Sequence, residues 1–168
     1  LAPQVSRDTE GHFIEDLSQC FDRGPDIYQN IAQEFSSLNI TAVKAKPLLC
    51  SRFQSMLGFT GIYFPFTGEA NVNVDATACL VPATISHEMS HQRMVSSELE
   101  ANFVGIAACT SCDDVVFQYS GYLMGLINLC NALYPVSPEA SQRIGENTFN
   151  QELATDWYDN NTYWAALE

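Results

Sequence analysis

His87-Glu88-Met89-Ser90-His91, a five-residue run at the middle of the 168-residue chain, decides how the rest is read. On a helix, positions i and i+4 lie on one face a turn apart, so the two imidazoles can address a single metal ion. The pattern is H-E-x-x-H, in which two histidines hold zinc and the glutamate beside the first acts as general base. Random ordering of this composition would give the pattern roughly 0.003 times, so it carries information by itself. Ala78 to Ser86, just upstream, is mostly apolar and contains Pro82, which suits a first helical turn; a helix is therefore expected through the motif.

A zinc site of this kind ordinarily has a third protein ligand and leaves a fourth position open. The one remaining histidine, His12, is remote in sequence, which favours a carboxylate. Ser97 and Glu100 have capping-box spacing at the start of a second helical run. If Glu100 folds back on that terminus, Glu98 is left to face the metal, with Asn102 one turn later on the same face. In an unbroken helix Glu98 would lie about 10 Å beyond His91 along the axis, so the chain must turn between Gln92 and Ser97. No Gly or Pro marks that turn. Glu69 is a rival ligand, with binding of a substrate amine as its other role.

The run His87 to Arg93, then Glu98 to Phe103, together with Gly61 to Asn73 upstream, resembles the two strong blocks of a bacterial domain-of-unknown-function family that carries a zinc-peptidase-like motif. More distantly, Glu98-x-x-x-Asn102 is similar to the Glu-x-x-x-Asp element of membrane-associated gluzincins, such as the CAAX-type prenyl proteases and the antirepressor-type sensor peptidases. The resemblance implies that Glu98 is a zinc ligand and that Asn102 steadies a ligand histidine. It also implies a zincin-like fold and a longer, membrane-tethered parent with transmembrane helices ahead of this domain, the side of the membrane being left open, with the extracytoplasmic side one option. In the resembling family a glycine commonly follows Gln-Arg, where this chain has Met94.

Thr60 to Phe66 is rich in strand formers, and Ala70 to Asp75 alternates Asn71 and Asn73 with Val72 and Val74, which predicts two short strands around Thr67-Gly68. Pro65 confines the first to an edge or bulge, and the second is expected as an edge strand whose free backbone groups pair with an extended peptide. Glu69, Asn71, Asn73 and Arg93 are the candidate substrate-binding side chains. A second donor to the oxyanion is open among Arg93, Tyr119, Tyr158 and Tyr163.

Composition bounds the remainder. With 46% hydrophobic residues and 168 positions, one domain spanning 1–168 with a proper core is expected. A formal charge of −13 with seven Lys and Arg argues against nucleic-acid binding and predicts repulsion from an anionic membrane surface. No stretch is apolar enough to span a bilayer, and a chain opening at Leu1 reads as a soluble fragment of a longer protein. The six cysteines sit in apolar contexts and most read as buried thiols, with Cys109-Thr-Ser-Cys112 at a helix-to-helix junction or in a local disulfide. Periodicity predicts further helices over 26–38, 47–57, 113–134 and 139–158.

The expectation is thus a mostly helical α+β domain of zincin-like (gluzincin) type, with an H-E-x-x-H helix, a second ligand helix and a small hairpin or sheet. It would hold one Zn2+ per chain through His87, His91 and Glu98, with Glu88 collecting a proton during peptide-bond hydrolysis. The partner would be a peptide or protein substrate. The alternative is a noncatalytic metal-binding or sensory domain of a membrane protein.

Overall fold

A computed structural model describes residues 1–41 and 43–167. Eight α-helices surround a small sheet: α1 (Leu17–Arg23), α2 (Gln29–Glu34), α3 (Ser51–Met56), α4 (Val81–Gln92), α5 (Glu98–Ser111), α6 (Val115–Leu133), α7 (Pro138–Thr148) and α8 (Gln151–Ala165). The strands are β1 (Lys46–Pro47), β2 (Gly61–Phe64) and β3 (Glu69–Val72), in spatial order β1-β3-β2. This mostly helical α+β arrangement agrees with the fold class expected from the sequence. No described helix is long and apolar enough to cross a membrane.

The centre of the molecule is α4, packed between the sheet, α5 and α6. Nine of its residues are buried, Ile85 and Met89 completely. Several polar groups along it are matched: Ser120 of α6 accepts from the Ala83 amide at 2.9 Å, and Tyr28 donates to the Ser86 carbonyl at 2.6 Å. Burying such groups is tolerable only because each has a partner. Ser86 donates at 2.8 Å to the carbonyl of Gly105, where α4 and α5 come closest. A Cβ at position 105 would lie 3.0 Å from the His87 amide nitrogen and 3.1 Å from its Cα, so glycine sets the depth at which α5 docks.

Several boundaries differ from the sequence reading, each for a local reason. The run 26–38 is not one helix: a 3-10 turn over Gly24–Tyr28 leads into α2, and Phe35 leaves the helical region at φ −114° before a second 3-10 turn. The helix expected over 47–57 shortens to α3 because Lys46 and Pro47 pair with Asn71 and Val72. The run 139–158 divides at Phe149, after which the Asn150 side chain accepts from the Leu153 amide and starts α8. The two strands fall where expected, but β3 is central and β2 is the edge, since β1 adds to the far side of β3. The first hairpin strand is thus an edge, as Pro65 at its end requires, whereas the second, expected as an edge, is not.

Candidate metal centre

The two histidines emerge from the last turns of α4 with their Nε2 atoms 3.2 Å apart. From α5, Glu98 Oε2 lies 3.2 Å from His87 Nε2 and Glu98 Oε1 lies 3.5 Å from His91 Nε2. All three donor groups fall within 4.8 Å of one another. Four ligands at about 2.0–2.1 Å around a tetrahedral ion are separated by about 3.3 Å. Each observed spacing is close to that edge length, the two to Glu98 being made by different carboxylate oxygens, and the donor set of two imidazoles and a carboxylate suits a borderline divalent ion.

The turn that brings Glu98 back is a Schellman ending of α4. The Met94 amide donates to the His91 carbonyl at 3.0 Å and the Val95 amide to the Ser90 carbonyl at 3.3 Å. This geometry requires a left-handed residue, and Met94 supplies it at φ +65°, the one non-glycine residue with positive φ among those described. The place where the resembling family has glycine is thus the place where the backbone needs one. The turn also positions the Val95 carbonyl 2.6 Å from His91 Nδ1. A carbonyl only accepts, so Nδ1 carries the proton and Nε2 presents its lone pair to the cluster.

Beyond the turn, Ser97 caps α5 by accepting from the Glu100 amide, as its spacing indicated, and Glu98 occupies the first turn. Asn102 stands one turn further on, near His87 but with no hydrogen bond to it of good geometry. The buried Nδ1 of His87 has no hydrogen-bond partner of good geometry. Burial, then the neighbouring His91 ring, hold the His87 pKa below its ordinary value. A neutral imidazole is the form that binds a metal.

Glu88 projects from α4 toward β2 rather than into the cluster and is 4% exposed. Burial, with the negative charge of Glu98 added, pushes its carboxyl up from 4.5 to about 8. Gly61 of β2 makes room for it: a Cβ there would sit 2.8 Å from both Cγ and Cδ of Glu88. Tyr63, two residues on and on the same face of β2, stacks on His91 with ring centroids 5.9 Å apart. These groups, with Phe59, Met94 and Ser96, line an open cleft of about 670 Å³. Gly61 and Tyr63 escaped the sequence reading although the period of two already placed them on one strand face.

The other candidates lie elsewhere. Arg93 is buried behind α4, its guanidinium 3.5 Å from the centroid of the Tyr28 ring and donating to the carbonyls of Leu38 and Met89. Glu69 pairs with Lys46 and accepts from Thr67, far from a ligand role. Asn71 donates to the Glu69 carbonyl, and Asn73 is buried, bonding Ser55 and the Phe59 carbonyl. None of these four lines the cleft. Tyr119 is tied to Asp156 and Tyr163 to Ser55 and Asp75, while Tyr158 is exposed outside the cleft. His12 bonds Asp159 at 2.6 Å, remote from the cluster. All six cysteines are free thiols, and Cys112 ends α5 at the expected junction.

No curated protein and no solved structure matches the chain. A family model described as a protein of unknown function (DUF3810) matches residues 1–168, so this chain belongs to that family.

Proposed function

We propose that this protein is a zinc-dependent metallopeptidase. The observation that carries the reading is the convergence of the donor atoms of His87, His91 and Glu98 within 4.8 Å of one another, with the buried Glu88 carboxyl beside them at an open cleft. His87, His91 and Glu98 would hold the ion, which supplies Lewis acidity to a scissile carbonyl and acidifies water. Glu88, in a pocket without competing hydrogen-bond donors, takes the proton from the attacking water and delivers it to the leaving amine. The edge of β2 binds an extended peptide by backbone pairing, leaving Gly61 and Tyr63 beneath it. Tyr63 is the one phenol in the lining and serves as the neutral donor to the developing oxyanion. Three protein donors favour an open catalytic site over a structural one, which is usually closed by four.

Elemental mass spectrometry on protein purified without chelator tests the ion: about one zinc per chain is expected, absent in His91→Ala. With a fluorogenic peptide library, Glu88→Gln should keep zinc and lose cleavage. Unchanged cleavage by Glu88→Gln removes the peptidase assignment even if zinc is present.

A further inference from the structure

Between Glu34 and Glu69 the chain has no Asp or Glu across 34 residues, although it carries 20 acids in all. At the chain average that stretch would hold about four. Lys44, Lys46 and Arg52 lie within it, so residues 35–68 carry +3 and the remainder −16. The same stretch supplies eleven of the 21 exposed large hydrophobic side chains among the described residues. Acid exclusion and apolar exposure thus coincide in a fifth of the chain.

The structure presents these side chains outward. On β2, Gly61 and Tyr63 face α4 and the cleft, so Ile62 and Phe64 alternate to the other side of the sheet, where both are exposed, Ile62 also reaching the rim of the cleft. Phe66 follows in the hairpin turn at 90% exposure, its ring 5.6 Å from that of Phe64. Leu49, ahead of α3, is fully exposed, and Phe53, Met56 and Leu57 are more than half exposed. Apolar surface of this extent marks an interaction site. The four principal clefts of the molecule are lined by none of Leu49, Phe53, Met56, Leu57, Phe64 or Phe66. A peptide ligand needs pockets for its side chains, whereas a lipid surface takes protruding ones.

We propose that the exposed apolar side chains of this stretch form an interfacial membrane-binding surface that inserts them into a phospholipid bilayer, with acids from outside the stretch only at its border. The three cations do not make it a basic patch. Lys44 pairs with Asp22 at 2.7 Å, Lys46 with Glu69, and Arg52 with Asp75 at 3.3 Å, every acid coming from outside the stretch. The surface is electrically balanced at its border, and apolar insertion drives the binding. This assignment is independent of the metal centre.

The test is flotation of the protein with vesicles of phosphatidylcholine, alone or with about one-fifth phosphatidylglycerol. Binding to phosphatidylcholine is expected, and weaker binding to the anionic mixture, because the chain carries −13 and the patch has no free cation excess to offset it. Phe64→Ser/Phe66→Ser should weaken partitioning by at least about tenfold, and Leu129→Ser on α6 should leave it unchanged. Phe66→Trp removes no apolar group and gives a second readout, a blue-shifted emission quenched by brominated lipid. No flotation with either vesicle, or flotation indifferent to the serine pair, overturns the proposal. So does a doubled solution mass that the serine pair abolishes without vesicles, which would assign the face to a second copy of the chain.

Discussion

Replacing Glu88 by Gln should stabilise the metal-free protein, and by an amount that grows with pH. The carboxyl titrates near 4.5 when unfolded and near 8 in the fold, because α4 and β2 bury it beside Glu98. A raised folded-state pKa means that the native chain binds the proton more tightly. Stability from the protonated acid is therefore complete below 4.5 and lost as pH climbs toward 8. Linkage puts the loss at about 1 kcal/mol by pH 5, about 3 by pH 7 and about 4 by pH 8. Gln keeps the shape of the protonated acid and cannot ionise, so the difference between variant and parent traces that curve. His87, held below its ordinary pKa, contributes a slope of the opposite sign, losing stability as pH falls, and it cancels because both proteins contain it. The assay is urea unfolding with chelator at about pH 5, 6, 7 and 8, followed by circular dichroism. A difference that is flat in pH, or a Gln variant less stable than the parent at about pH 8, refutes the account of Glu88 as a buried acid.

Zinc placed at His87, His91 and Glu98 would favour the ionised Glu88, so calorimetry in buffers of different ionisation enthalpy should register more proton release from the parent than from Glu88→Gln. Gly61→Ala forces a methyl against Cγ and Cδ of Glu88; cleavage should fall at least about tenfold with zinc content retained. Gly105→Ala pushes α5 off α4 by a few tenths of an ångström at His87, and should weaken zinc affinity about tenfold in a competition titration with a chelating dye. Met94→Gly should raise stability by about 1 kcal/mol in thermal or urea unfolding, because the left-handed conformation no longer strains a Cβ. Met94→Val should lower stability by a similar amount or more and weaken zinc binding too.

The parts of the site that were legible in the sequence are those written in local spacing. His87 and His91 four apart on a helix, and Ser97 three before Glu100, needed no knowledge of the rest of the chain. The turn between Gln92 and Ser97 was deduced from length alone, and its mechanism was hidden because methionine occupies a conformation that usually announces itself as glycine. What sequence left unread depends on pairing at a distance. That the second hairpin strand is central and not an edge follows from β1, two residues long and too short to have a period. Arg93 looked available to a substrate, but its guanidinium lies over the Tyr28 ring, 65 residues earlier in the chain. The break before Asn150 was visible as a cap three residues ahead of Leu153 and lost to the apolar periodicity around it.

The oxygen that orients His91 belongs to the main chain at Val95 and not to a side chain. Mutation cannot delete it, and any residue at 95 would bring the same carbonyl. The vulnerability is transferred one position back, to Met94, whose own side chain is 86% exposed. A position that looks like expendable surface thus governs the aim of a ligand, and variation among family members should be wide at 95 and narrow at 94.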